Sequence, residues 1–150
     1  LHLIFDGPPS PPVHILLNSS INSKKMSISK KDIIGLIKKM LYKCPREKQE
    51  IKEVNPGCFI SRESFEGVIN SLLSEGKRLF YLDKKGKDIR EISEDFNDEE
   101  VFILGDHEGM PKDKEKFLKQ KNIDKISLGP VILFASQCVV LLHNEFDRLF

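Results

Sequence analysis

Two stretches in the last third of the chain determine the fold: Val101–Met110 reads VFILGDHEGM, and Ile126–Asp147 reads ISLGPVILFASQCVVLLHNEFD. Each begins as an apolar strand and breaks into a loop that contains glycine. The second loop continues into a helix that carries Cys138 and the triplet His143-Asn144-Glu145. Ligands of parallel α/β sheets bind beyond the carboxyl ends of the strands. Two such loops side by side could therefore hold a small ligand.

The rest of the chain alternates between strand and helix patterns. Strands are predicted at Leu1–Phe5, Arg78–Leu82, Val101–Leu104 and Lys125–Leu128, and Val13–Leu17 is a further apolar run. Helices are predicted at Ser29–Tyr42, Ser61–Gly76, Pro111–Gln120 and Phe134–Phe150. Loops or turns are predicted at Asn18–Ser29, Arg46–Gly57, Asp83–Gly86 and Glu91–Glu100. This alternation predicts an α/β fold with a mostly parallel sheet and helices on both faces.

Composition limits the classes of protein to which the chain can belong. It has 150 residues, 39% of them hydrophobic and 31% charged, which suits one globular domain. No apolar run reaches the roughly 18 residues that a membrane span needs, so no membrane contact is expected. Because the formal net charge is only +1, contact with nucleic acid must come from a local basic patch or from paired subunits.

Cysteine and histidine usage argues against disulfides and metals. Three cysteines are widely spaced and none forms a CxxC pair, which favours a reducing compartment, the cytoplasm. The four histidines are scattered, and neither HExxH nor an EF-hand pattern occurs, so no metal site is expected.

The quoted stretches resemble the archaeal tRNA pseudouridine N1-methyltransferases, a branch of the SPOUT (trefoil-knot) RNA methyltransferases. The shared elements are a strand followed by GDH-x-G, then ISL-x-P, a small-residue helix with a cysteine, and HN-x-x-D. The resemblance implies a SPOUT-type domain over residues 1–150 with a C-terminal knot, and a homodimer. Family members carry a further N-terminal strand and helix, so this sequence is expected to begin inside the domain.

The resemblance also implies a cofactor, S-adenosylmethionine (SAM), and residues that would bind it. The matching positions are Leu82, Gly105, Ser127, Leu128, Leu133 and Cys138. On the residues alone, glycines follow the strands of any α/β protein, and a lone cysteine on an apolar helix face is usually a small buried hydrophobe.

The implied reaction is methyl transfer to N1 of pseudouridine in the T-loop of tRNA, at position 54. N1 carries a weakly acidic hydrogen, so a nearby base would help. Asp106, His107 and Asp6 are the candidates, with Asp106 and Asp6 preferred. Their structural alternatives are a cap on the turn for Asp106, packing for His107, and the start of the Pro-rich loop for Asp6. A related enzyme acting on rRNA pseudouridine and a non-catalytic RNA-binding domain of the same fold remain alternatives.

Contacts with tRNA are predicted at Arg62 and at basic clusters. Arg62 lies in GCFISRESF, a segment that resembles one in the family, although Glu63 replaces a second family arginine. An arginine near a helix N-terminus can equally lie on a solvated face. The lysine clusters are Lys24-Lys25, Lys30-Lys31, Lys38-Lys39, Lys84-Lys85-Lys87 and the run from Lys112 to Lys125. Such runs are usually solvated, but several could act together on the phosphates of a folded RNA.

Overall fold

The computed structural model describes residues 1–8, 10–20, 29–92, 96–97 and 99–149. Two compact units divide the chain, unit 1 at Leu1–Ile69 and unit 2 at Asn70–Phe150. The predicted loops at 18–29 and 91–100 lie partly outside the described residues. Lys24, Lys25 and Phe150, the last residue of the predicted C-terminal helix, lie entirely outside them.

Unit 1 contains a four-stranded sheet and a helix. Its strands are β1 (His2–Phe5), β2 (Val13–Leu17), β3 (Ile51–Asn55) and β4 (Cys58–Ser61), arranged in the order β1-β2-β4-β3. The helix α1 spans Lys30–Tyr42. Alternate residues of the central strands point to one face, and there they form a core with Met40 of α1; the buried members are Val13, Ile15, Met40, Cys58 and Ile60.

The boundaries of α1 agree with the prediction. Ser29 caps the helix by accepting a hydrogen bond from the backbone N–H of Asp32 (3.2 Å). Lys43 ends it, shortly before Pro45. Met40 is fully buried, whereas Ile34 and Leu41 of the predicted apolar stripe remain 44% and 42% exposed.

All neighbouring strands of this first sheet are antiparallel. The expectation of one mostly parallel sheet is therefore wrong for unit 1. The reason lies in the connections: β1 and β2 are joined by a short loop, and β3 and β4 by the Pro56-Gly57 turn. Such short connections permit only antiparallel pairing. Strand β3 lies in the segment that was predicted as a charged loop, and β4 includes Ser61, which was predicted to start a helix.

The next helix, α2 (Phe65–Ser74), begins later than the predicted Ser61. Ser61 is still part of β4, where it pairs with His14. The hydroxyl of Ser64 accepts the backbone N–H of Gly67 (3.2 Å), so Ser64 caps the first turn instead. The chain leaves the helix through Gly76, whose φ of +81° favours glycine.

Unit 2 contains the parallel sheet that the sequence predicts. Its strands are β5 (Arg78–Asp88), β6 (Glu100–Ile103) and β7 (Asp124–Ser127), in the order β6-β5-β7, and both pairings are parallel. Two helices, α3 (Lys112–Gln120) and α4 (Ala135–Leu149), and a 3₁₀ turn at Ile89–Glu91 complete the unit.

The core of unit 2 is aromatic. Its buried members are Phe80, Ile89, Phe96, Ile126 and Leu142. Phe96 stacks on Phe146 of α4 with ring centroids 5.5 Å apart. The interpretation of Glu91–Glu100 as a solvated loop was therefore wrong at Phe96, because its ring supplies part of this core.

Strand β5 is longer than predicted and is interrupted in its pairing. Both Leu82 and Lys87 pair with Ile126 of β7, so the segment between them leaves the ladder and returns. The carboxylate of Asp83 accepts the N–H of Lys85 (2.9 Å) and closes this excursion. The predicted turn at Asp83–Gly86 thus corresponds to an irregularity within a strand.

Candidate functional site

Two loops leave the parallel sheet of unit 2 at the carboxyl ends of β6 and β7. Tyr81 pairs with Ile103, and Leu82 pairs with Ile126, so both loops begin beside the point where β5 interrupts its pairing. The interrupted segment of β5 is Asp83–Gly86, and the two loops are 104–109 and 128–133. This edge brings together four of the predicted cofactor residues, namely Leu82, Gly105, Ser127 and Leu128.

The GDHEG loop closes tightly on itself. Gly109 donates its N–H to the carbonyl of Asp106 (3.0 Å), and the Asp106 carboxylate accepts the N–H of Glu108 (2.8 Å). A Cβ on Gly105 would lie 2.5 Å from the carbonyl carbon of Gly109. Gly105 is therefore required for the closure of the loop itself. Asp106 is exposed and holds the turn, while His107 is also exposed.

The loop after β7 is stiffened by Ser127. Its hydroxyl donates to the carbonyl of Gly129 (2.9 Å) and accepts the Gly129 N–H (3.1 Å). Gly129 has a φ of +135°, a conformation that favours glycine. Leu128 is half-buried against the aromatic core. The result is a fixed turn with backbone amides and an apolar side chain at the sheet edge.

A hollow of about 270 Å³ adjoins this turn. Leu128, Gly129 and Pro130 form one wall, and the remaining lining comes from Asp88, Ile89, Arg90, Leu141, Glu145 and Arg148. The two arginines are paired, Arg90 with Asp88 and Arg148 with Glu145. Bonding to Arg90 lowers the pKa of Asp88 to about 2, so its carboxylate stays ionised.

The remaining two predicted cofactor residues lie next to and within α4. Leu133 is half-buried just before the helix, and Cys138 is half-buried in its first turns. Burial raises the pKa of the Cys138 thiol. A protonated thiol is a poor nucleophile, so this position suits an apolar wall rather than covalent chemistry.

Asp6 and Arg62 belong to unit 1. Asp6 is exposed immediately after β1. The guanidinium of Arg62 donates from Nε to the carbonyl of Pro45 (2.9 Å) and from Nη1 to Oγ of Ser10 (2.9 Å). Arg62 therefore joins two loops of unit 1, a structural task that the sequence interpretation did not foresee.

An ion cluster at the sheet edge was also missed. Nζ of Lys125 donates to Oδ2 of Asp83 (2.8 Å) and to Glu115, and it lies 5.2 Å from the ring centroid of Tyr81. The bonds from Lys125 and from the backbone of Lys85 lower the pKa of Asp83, whereas burial raises that of Tyr81. These residues are far apart in sequence, so only the strand register could have revealed the cluster.

The part of the chain that the structure describes contains neither a membrane-spanning helix nor a cluster of metal ligands. None of its helices combines the length and apolar character that crossing a lipid bilayer demands. The described histidine, cysteine and acidic side chains form no cluster of three or more that could hold a metal ion.

A family model and individual sequence relatives both assign the chain to the same family. A family model described as "Putative SAM-dependent RNA methyltransferase" matches residues 1–149. The "tRNA (pseudouridine(54)-N(1))-methyltransferase" of Methanococcoides burtonii is 37% identical over 99% of this chain and 71% of its own length. The protein of the same name from Methanococcus aeolicus is 39% identical over 95% of this chain and 70% of its own length.

A third relative matches a shorter part of the chain. The "Putative pseudouridine methyltransferase" of Alcanivorax borkumensis is 46% identical over 67% of this chain and 49% of its own length. The full-length family match and the identity to the archaeal relatives agree with the motifs at the sheet edge. The chain therefore belongs to the SAM-dependent RNA methyltransferase family that this model describes.

Proposed function

We propose that this protein transfers a methyl group from SAM to N1 of pseudouridine at position 54 of tRNA. The observation that carries the proposal is the placement of the GDHEG loop and the Ser127–Gly129 turn at the carboxyl ends of the two strands that flank β5 in a parallel sheet. Ligands of such sheets bind at this edge. The names of the archaeal relatives supply the reaction and the RNA.

The proposed cofactor pocket consists of Leu82, Gly105, Ser127, Leu128, Leu133 and Cys138. The half-buried Leu128 and Leu133 offer the apolar walls that an adenine ring needs, and the backbone amides around Gly129 offer hydrogen bonds. Gly105 keeps the opposite loop compact. These features fit SAM, which supplies an electrophilic methyl group when bound.

A SPOUT-type trefoil knot is part of the proposal. Its support is the irregular pairing of β5, since Leu82 and Lys87 share the partner Ile126. A Cβ on Gly86 would lie 2.5 Å from the backbone of Ile126, so the two chain segments pass in direct backbone contact. Close backbone passage is what a threaded chain needs. Because the family match is continuous over residues 1–149, we treat the chain as one methyltransferase domain.

The residues of the chain would act mainly by positioning. Bound SAM would supply the methyl group that N1 of pseudouridine takes up, and a base of this chain would accept the N1 proton. Asp106 is the first candidate, because its Oδ1 is held by the Glu108 N–H while the carboxylate remains exposed. Asp6 is the second. Single-turnover rates of Asp106→Asn and Asp6→Asn across pH would separate them, since only loss of the base abolishes the pH-dependent limb.

A homodimer formed through α4 and the preceding loop belongs to the same proposal. Large apolar side chains there are unusually exposed: Val131 at 67%, Ile132 at 78%, Phe134 at 76% and Val140 at 66%. Exposed apolar patches of this kind mark protein interfaces. A second copy is the occupant that the family resemblance implies.

The three cysteines are free thiols, which suits the reducing cytoplasm.

The names of the relatives agree on the modified nucleoside and differ in whether they name the RNA. The Alcanivorax relative is named for pseudouridine without an RNA, so methylation of rRNA pseudouridine is the second candidate activity. A non-catalytic RNA-binding domain is the third. A comparison of tRNA and rRNA fragments as methyl acceptors separates the first two, and failure to bind SAM favours the third.

Calorimetric titration with SAM tests the pocket. We expect micromolar-range binding by the wild type and loss of binding in Leu128→Arg, whose charged side chain would enter the proposed adenine site. Leu128→Ala should weaken binding while keeping the fold, as checked by circular dichroism and thermal unfolding. Unchanged binding in both folded variants would place the cofactor elsewhere.

A further inference from the structure

One end of α1 in unit 1 carries an exposed tyrosine among basic side chains. Tyr42 is 92% exposed. Lys38 precedes it by one turn and lies on the same face, because residues four apart in a helix are neighbours. Lys43 ends the helix, and Arg46 follows after Pro45; both are exposed. We call Lys38, Tyr42, Lys43 and Arg46 the Tyr42 patch.

Positive charge is concentrated in this region. Between Lys31 and Lys48 only Asp32 and Glu47 are acidic, against six basic residues: Lys31, Lys38, Lys39, Lys43, Arg46 and Lys48. The segment therefore has a formal net charge of +4 in a chain whose total is +1. A local positive field of this kind attracts polyanions even when the whole protein is nearly neutral.

The side chains of the Tyr42 patch make little contribution to holding the fold together. Among the described residues, the side chains of Lys38, Tyr42, Lys43 and Arg46 have no hydrogen-bond or ion-pair partner, whereas the neighbouring Lys39 donates to Oδ1 of Asn55 (2.8 Å). A tyrosine ring exposed to this degree contributes little to stability by burial. Both its aromatic faces and the surrounding cations remain available for a ligand.

Arg62 fixes the loop that completes the patch. Its Nε donates to the carbonyl of Pro45 (2.9 Å), and Pro45 directly precedes Arg46. The same guanidinium also holds Ser10. Arg62 thus acts as a positioning residue for the loop that presents Arg46.

We propose that the Tyr42 patch binds an unpaired loop of the RNA substrate. The Tyr42 ring stacks on an exposed base, and Lys38, Lys43 and Arg46 contact the flanking phosphates. Proteins recognise RNA loops by this combination of aromatic stacking and phosphate contacts. The inference rests on the proposed RNA methyltransferase function and adds the surface that holds the RNA.

Helix α3 is the main competing surface. Lys112, Lys116 and Lys119 lie along one stripe of α3 and are exposed. However, the acidic residues Asp113 and Glu115 lie among them. The ring of Phe117 is half-buried, and Nζ of Lys121 lies 5.5 Å from the centroid of that ring. No exposed aromatic side chain accompanies the stripe in the described part of α3, so it lacks a stacking platform.

Fluorescence anisotropy with a T-arm stem-loop of tRNA tests the stacking contact. We expect Tyr42→Ala to bind the stem-loop about tenfold more weakly, the effect of losing one stacked base. Tyr42→Phe keeps the ring and should bind within about twofold of wild type. With a blunt duplex of the same stem, Tyr42→Ala should equal wild type. Equal stem-loop affinity for Tyr42→Ala and wild type would overturn the proposal.

A second pair of variants tests the charges. Lys38→Ala/Lys43→Ala should reduce the slope of log affinity against log salt by about 1.4, because each contact with a single-strand phosphate contributes about 0.7. The matched control on α3, Lys116→Ala/Lys119→Ala, should leave the slope unchanged. The reverse pattern would assign the RNA to α3 and contradict the inference.

Methyl transfer separates this inference from the proposed function. If the wild type methylates tRNA, Tyr42→Ala should raise KM for tRNA about tenfold with kcat unchanged, because the patch lies in binding rather than chemistry. A Tyr42-dependent RNA affinity without any methyl transfer would support the patch and contradict the enzyme. Methyl transfer with an unchanged KM in Tyr42→Ala would support the enzyme and contradict the patch.

Discussion

Gly105 shows how a single position determines the GDHEG loop. A Cβ there would lie 2.5 Å from the carbonyl carbon of Gly109 and 2.7 Å from the backbone nitrogen of Met110. These are backbone atoms that cannot rotate away. Gly35 on the exposed face of α1 is the opposite case, since a Cβ there meets nothing within 4 Å. Substitution by alanine should therefore change the free energy of unfolding in opposite directions at these two glycines.

Gly105→Ala should lower the free energy of unfolding by about 1–3 kcal/mol, the usual cost of overpacking. It should also abolish SAM binding, because the loop must open. Gly35→Ala should raise the free energy of unfolding by about 0.5–1 kcal/mol, since alanine favours the helix. Urea denaturation and calorimetry measure both. An unaffected Gly105→Ala variant would show that the loop is not closed as described.

At the scale of elements, Lys125 of β7 connects β5 and α3. It bonds to Asp83 in the irregular part of β5 and to Glu115 of α3. The hydrogen bond from Lys125 is the largest cause of the lowered pKa of Asp83, and the N–H of Lys85 is the second. Since the partners are partly exposed, with Lys125 at 37%, solvent screening limits the stabilisation.

Lys125→Met should therefore lower the free energy of unfolding at pH 7 by no more than about 1 kcal/mol. A lowered carboxyl pKa in the folded state stabilises the protein above the ordinary value near 3.9, and this stabilisation is lost as the pH falls through the folded-state value. The difference from wild type should consequently shrink as the pH falls below the ordinary carboxyl pKa, because Asp83 then takes up a proton in the folded protein as well. Lys119→Met is the control, because Lys119 has no ion pair among the described residues. A difference independent of pH would contradict the account.

The elements with clear periodicity could be predicted from sequence. Helix α1 has a capping Ser29 and apolar residues at helical spacing, and α3 follows a proline, so both were located within a residue or two. Strand β3 could not be found, because IKEVN is an edge strand whose first three residues are exposed. Its signal is backbone pairing with β4, which leaves no apolar pattern in the sequence.

Part of the candidate site could likewise be predicted from the sequence, and part could not. The parallel strands placed the GDHEG loop and the Ser127–Gly129 turn at one edge, as the alternation of strands and helices predicts. The task of Arg62, which joins Pro45 and Ser10, depends on contacts between distant loops. Local patterns carry no information about such contacts, so the sequence indicated only a charged side chain.

At the scale of the whole molecule, the exposed apolar side chains of α4 bear on assembly. Val140 is 66% exposed on α4, and Ile51 is 67% exposed on β3. The first follows the exposed Ile132 and Phe134 along the chain, whereas the second lies on an edge strand next to charged Lys52 and Glu53. Matched substitutions can therefore test where a second copy binds.

Sedimentation analysis should give the wild type twice the 17.2 kDa mass of the chain. Val140→Glu should shift the protein to monomer, because a carboxylate placed in an apolar interface would lose its hydration. Ile51→Glu should remain dimeric. A monomeric wild type at tens of micromolar protein, or equal dissociation of both variants, would rule out the proposed interface.

Methyl transfer to tRNA tests the central claim most directly. Radiolabelled SAM would be incubated with two tRNA transcripts that differ only in carrying pseudouridine or uridine at position 54, and the digested nucleosides identified by mass spectrometry. The account predicts label in N1-methylpseudouridine from the first transcript and none from the second. Absence of transfer to the pseudouridine transcript by a folded, SAM-binding protein, or equal transfer to both transcripts, would contradict it.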